Sequence, residues 1–142
     1  MESDSKRIKI EESFELLNLP SASLYEKSWM HRDIVTQVVV AAKHDFVITS
    51  SQDGYVKFWR KTVQSIEFVK AYRAHLQPIT SVAIAHNEDR YATCSAIEQS
   101  IKVFDVVNFD LMNMIKLSFT PNIIMFVHKP NSFAPFIAVA SE

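Results

Sequence analysis

His31, Thr49 and Asp53 are the three residue types of a nucleophilic triad, and they fall within one short stretch that ends in Trp59. A threonine hydroxyl attacks a carbonyl only when a neighbouring base takes its proton and a carboxylate orients that base. Such a site also needs donors aimed at the developing oxyanion, and the chain has one glycine, Gly54, so no glycine-built oxyanion pocket accompanies the three. The same residues fit a second role, an internal hydrogen-bonded network that ties strands together and catalyses nothing. Choosing between the two requires the elements that carry them.

The other candidates for chemistry are weaker. His44, His86 and His128 have no metal-ligand spacing with one another or with Cys94, and are expected to be surface or hydrogen-bonded residues. Cys94, the single cysteine, has no partner for an internal disulfide and lies in the apolar run "RYATCSAI", which makes it a small buried hydrophobe. No metal, cofactor or small-molecule ligand is expected.

The net charge of −1 and pI of about 6.5 give no electrostatic footprint for a nucleic-acid backbone or an anionic membrane. Arg32, Arg60, Lys61, Arg73 and Lys102 stand near expected strand ends with acidic residues interspersed, so they read as solvated loop charges. No secretory leader or apolar run long enough to span a membrane is recognisable. At 142 residues and 48% hydrophobic, the chain has material for one globular core.

Residues 1–20 are charged, then mildly apolar, and stop at Pro20; they are expected to form a flexible tail whose "KRIKI" could act in nuclear import. From Leu24 onward, short runs rich in β-branched and aromatic residues recur about every ten positions. They are "IVTQVVVAA", "DFVITSS", "YVKFW", "IEFVKAY", "ITSVAIA", "RYATCS", "SIKVFDV", "MNMIKLSF", "NIIMFV" and "FIAVAS". No helical period is sustained, so the fold class is all-β.

The runs repeat. A shift of 44 lays His31 on His75, Val38 on Val82, Val40 on Ile84 and Thr49 on Thr93, and a shift of 45 lays Val56-Lys57-Phe58-Trp59 on Ile101-Lys102-Val103-Phe104. Two four-strand units of this length predict propeller blades rather than a sandwich. A third copy starts with two runs, with Phe119 or Thr120 where a histidine is expected. The alternating stripe of Met112, Met114, Ile115 and Leu117, with Met125 and Phe126 beyond it, is expected to fill the contacts between blades.

These spacings resemble WD40 repeats, in which His31, Thr49, Asp53 and Trp59 would form a structural tetrad. The resemblance implies that the Asp53 carboxylate accepts from the His31 ring, that His31 meets the Thr49 hydroxyl, and that Thr49 meets the Trp59 indole. Gly54 then sits in the turn between the second and third strands. The second tetrad is degenerate: His75 and Thr93 remain, Ile97 stands where the aspartate is expected and Phe104 where the tryptophan is, so that network is expected to be broken and packing alone to carry the blade.

A closer resemblance follows from "LNLPSASLYEKSWMHRDIVTQVV", "DFVITSSQDGYVKFWRK" and "IKVFDVVNFDLMNMIKL", which are similar to the amino-terminal region of the nuclear WD-repeat cyclophilins. That family implies a seven-bladed propeller, a carboxy-terminal peptidyl-prolyl isomerase domain, nuclear location and partners in the splicing machinery, with no direct nucleic-acid contact. No Phe-His-Arg cluster of a cyclophilin site is found, so no catalytic residue is carried over. The expected organisation is a tail over residues 1–20, a ring-closing outer strand over 21–30, blade one over 31–73, blade two over 74–118 and the start of blade three over 119–142. The chain is accordingly expected to be the interaction part of a longer isomerase, and the alternative is a short WD40 adaptor unconnected with isomerisation.

Overall fold

A computed structural model describes residues 30–130 and 135–141. The tail over 1–20 and nearly all of the ring-closing strand over 21–30 lie outside the described residues. Each of the ten β-type runs forms a strand: β1 (Val35–Ala41), β2 (Phe46–Ser51), β3 (Tyr55–Lys61), β4 (Ile66–Arg73), β5 (Ser81–Ile84), β6 (Arg90–Ser95), β7 (Ser100–Asp105), β8 (Asp110–Lys116), β9 (Ile123–Val127) and β10 (Phe136–Ala140). They form two four-stranded sheets, β1-β2-β3-β4 and β5-β6-β7-β8, and a hairpin of β9 and β10, all antiparallel and paired in chain order.

The sequence repeat persists at the level of single bonds. The amide of Lys61 donates to the carbonyl of Asp45 at 2.7 Å, and its counterpart Val106 donates to Asp89 at 2.9 Å. A bulge interrupts the β3–β4 ladder between Phe58 and Trp59, and another interrupts β7–β8 at the equivalent step, between Val103 and Phe104. Both bulges put one extra residue into the outer strand, Val69 in β4 and Met112 in β8, and strengthen its twist.

Side chains alternate across each strand, so every sheet has two apolar faces to cover. Val39, Ala41, Phe46, Ile48, Val56 and Phe58 of the first sheet pack on Val82, Ile84, Tyr91 and Phe104 of the second. Phe58 is fully buried and meets Tyr72, Tyr91 and Phe109 edge-on, with centroids 5.9, 6.3 and 5.5 Å away. Burying an aromatic of this size contributes about 1.5–3 kcal/mol, so this cluster is a main cross-tie between the sheets. The far face of the second sheet, with Ala92, Cys94, Ile101 and Val103, covers Ile124, Phe126, Ile137 and Val139 of the hairpin.

One sequence expectation is corrected by the position of β8. It is the outer strand of its sheet and every residue is exposed, so Met112, Met114 and Ile115 do not fill a core. Met125 is exposed as well, while Leu117 and Phe126 pack between the second sheet and the hairpin.

Gly54 has two reasons to be glycine. Its φ of +79° lies in the left-handed region, and a Cβ there would come within 2.1 Å of the carbonyl oxygen of His75. The backbone of the first turn is pressed against the start of the second blade, and the His75 amide donates to the Gly54 carbonyl at 3.0 Å. In the second blade Gln99 takes the corresponding place with φ of +49°.

Candidate functional site

In the first sheet, His31, Thr49 and Trp59 come together below the surface. Thr49 lies mid-strand in β2, and its Oγ1 is 2.8 Å from His31 Nε2 and 2.8 Å from Trp59 Nε1. An indole N–H only donates, so the Thr49 oxygen accepts from Trp59, and the hydroxyl keeps a proton and a second lone pair with which to meet His31 Nε2. The second ring nitrogen of His31 is Nδ1. That nitrogen faces Asp53 Oδ1 across 3.7 Å and is buried without a hydrogen-bond partner.

The bond expected from the His31 ring to Asp53 is thus not made. Asp53 Oδ1 instead accepts from the Tyr55 amide at 2.9 Å and closes its own turn. As a nucleophilic site the group fails on access: Thr49 is 1% exposed and its hydroxyl is already bonded on both sides. No substrate carbonyl can reach it.

The second sheet overturns the reading of a broken network. His75 Nε2 lies 2.9 Å from Thr93 Oγ1, and His75 Nδ1 lies 2.7 Å from Glu98 Oε2. Glu98, one residue beyond Ile97, supplies the carboxylate. Its longer side chain reaches back to the ring, accepts from the Leu76 amide through Oε1, and also accepts from the Ser100 hydroxyl at 3.3 Å. Phe104 replaces the indole and packs in the layer between the sheets, so Thr93 lacks that one donor.

Burial pushes the pKa of both rings below the ordinary 6.5; Asp53 and Glu98 oppose the shift, and Lys57 and Lys102 reinforce it. Glu98 is held below the usual carboxylate range: burial acts against ionisation, but the bonds from His75 and the Leu76 amide outweigh it. A neutral histidine donating to an ionised glutamate satisfies both groups.

Two lysines that sequence reasoning treated differently share one role. Lys57 Nζ donates to the carbonyl of Met30 at 2.7 Å, and Lys102 Nζ donates to the carbonyl of Ala74. Each carbonyl belongs to the residue just before the network histidine. Lys102 is therefore a strand-locking residue and not a loop charge, and the repeat of Lys57 onto Lys102 was the signal for it.

Cys94 is buried with Thr80 Oγ1 3.4 Å from its Sγ, and burial pushes the thiol pKa up, which makes it unreactive. His86 and His128 lie with ring centroids 4.5 Å apart beside Asp89, Arg90 and Lys129, and no group of three metal-ligating side chains forms among the described residues. His44 departs from its expectation, since its Nε2 is buried without a partner.

The geometry agrees with what the chain resembles. The family described as "WD domain, G-beta repeat" matches residues 26–60 and 66–105. Peptidyl-prolyl cis-trans isomerase cyp15 of Rhizopus delemar is 44% identical over 135 residues, which are 95% of this chain and 21% of that protein. The peptidylprolyl isomerase domain and WD repeat-containing protein 1 of Homo sapiens is 45% identical over 88% of this chain and 19% of its own length. Peptidyl-prolyl cis-trans isomerase CYP71 of Arabidopsis thaliana is 42% identical over 88% of this chain and 20% of that protein. The chain spans about a fifth of the length of the curated relatives it matches. With over half of its residues matched and two blades built on one buried histidine–threonine plan, the chain belongs to the WD40 repeat family.

Proposed function

We propose that this chain is the amino-terminal protein-interaction scaffold of a longer cyclophilin-type peptidyl-prolyl isomerase, located in the nucleus, with partners in the splicing machinery. The observation that supports a scaffold most directly is the employment of the histidine and threonine side chains. They are buried and bonded to one another, and they hold blades in place so that the turns can present a surface.

The isomerase link rests on the names of the relatives, and the nuclear and splicing links rest on the family resemblance. Proline isomerisation in such a protein is the work of residues other than these blades. The test has two arms. The purified 142-residue chain, added to a proline-containing peptide, leaves its cis–trans rate unchanged, and acceleration would contradict the scaffold reading. Immobilised on beads in nuclear extract, the chain retains splicing proteins; retention of none would remove the splicing proposal.

A further inference from the structure

At the strand ends away from the Gly54 turn, the loop between β5 and β6 meets the residues that follow β9. His86, Asn87, Asp89, Arg90, His128 and Lys129 line one cavity of about 170 Å³ there. None of these side chains belongs to either histidine–threonine network.

The lining is rich in donors. The two imidazoles lie with centroids 4.5 Å apart, and each carries an N–H in either tautomer. Arg90 and Lys129 add two permanent positive charges, and neither side chain makes a hydrogen bond or ion pair among the described residues. The acids around them are mostly engaged elsewhere. Asp105, opposite Arg90 in the β6–β7 ladder, accepts from the Val107 and Asn108 amides and from Asn108 Nδ2. Glu88 accepts from the Lys43 amide at 2.6 Å, and Lys43 Nζ donates to the His86 carbonyl at 3.1 Å. The groups left to face a ligand are therefore positive or neutral donors, with Asp89 as the exception.

Asp89 selects among anions. Its Oδ1 is buried without a hydrogen-bond partner, and a buried acceptor of this kind calls for a donor. A carboxylate repels a fully deprotonated oxyanion and accepts a hydrogen bond from a protonated one. A phosphate monoester, with a second pKa of about 6, still exchanges a proton near neutral pH, whereas sulfate carries none.

Size narrows the ligand further. The cavity is smaller than the roughly 300 Å³ at which pockets for drug-sized ligands begin, so it takes a phosphoryl group and not a whole nucleotide. Arg90 and Lys129 disfavour a bare metal cation, and no group of three metal-ligating side chains forms among the described residues.

We infer that this cavity is a phosphoryl-binding site, in which His86, Arg90, His128 and Lys129 hold the anionic oxygens and Asp89 accepts from the protonated one. Inorganic phosphate and a phosphorylated side chain present the same group. Either would tie the β5–β6 loop of the second sheet to the residues after β9. The inference goes beyond the scaffold reading and does not rest on it.

Calorimetric titration of the 142-residue chain with inorganic phosphate, capped phosphoserine and sulfate tests the site. At least one phosphoryl compound is expected to bind about tenfold or more tightly than sulfate, and the tighter of the two names the source. His86 and Lys129 are exposed, so His86→Ala and Lys129→Gln are expected to fold, and each should weaken phosphoryl binding about tenfold. Asp89→Asn should abolish the preference over sulfate. Equal affinity of the parent chain for phosphate and sulfate would overturn the site, as would binding of neither phosphoryl compound. It is equally overturned if His86→Ala and Lys129→Gln bind as tightly as the parent. Each of these failures leaves the scaffold reading to its own test in nuclear extract.

Discussion

His75 Nδ1 and Glu98 Oε2 are 2.7 Å apart, whereas the corresponding atoms of His31 and Asp53 are 3.7 Å apart. The blade whose pattern departs from the repeat has the tighter pair. Glu98→Ala removes the acceptor for the His75 ring and the Leu76 amide at once, and leaving the buried His75 donor unpaired costs about 1–3 kcal/mol. Urea unfolding should show that loss for Glu98→Ala, a smaller loss for Glu98→Gln, and little change for Ile97→Ala.

The two lysine clamps should act independently. Lys57→Met and Lys102→Met each remove a charged donor from a backbone carbonyl and should each cost about 1 kcal/mol. They lock different sheets, so the double variant should sum the two losses within about 0.5 kcal/mol. A larger coupling in the double-mutant cycle would show that the clamps share a partner.

Stability should fall on acidification in a defined window. The imidazoles of His31 and His75 are held below 6.5 in the folded chain, chiefly by burial, while the unfolded chain titrates near that value. Just below 6.5 the unfolded state therefore binds more protons, so stability is full above that pH and declines as the pH drops through it. Glu98 adds a second loss below 4.5, its ordinary value, because its folded pKa is also depressed. Urea midpoints at about pH 7.5 and about pH 5.5 check the first window. His75→Gln should be less stable at both and show a shallower dependence.

Gly54 and Gln99 should respond in opposite directions. Gly54→Ala places a Cβ against the His75 carbonyl at a positive φ and should destabilise by several kcal/mol. Gln99→Gly relieves a left-handed side chain at φ of +49° and should stabilise by about 1 kcal/mol. Thermal unfolding of the two variants reads both signs.

Ten strands were legible because β-branched runs between turn residues have few other stable states, and the spacing of His31 with Thr49 and of His75 with Thr93 carried the network. Glu98 was missed because aligning the repeats sets Ile97 opposite Asp53, and alignment does not show that a longer side chain can serve from the next position. Lys102 was misplaced because its partner is a backbone carbonyl, which no residue type announces; only the repeat of Lys57 onto Lys102 marked the position. Met112 and Met114 alternate as core residues do, but their exposure depends on β8 being an outer strand, a property of the sheet and not of the run.

The central claim, that these blades are the scaffold part of a longer isomerase, is tested most directly by the endogenous protein itself. An antibody against the 142-residue chain, followed by peptide mass spectrometry of what it captures, should find a product much larger than 16.3 kDa that carries further blades and a cyclophilin domain. A stable product of 16.3 kDa with no further peptides would contradict the account and favour a short WD40 adaptor.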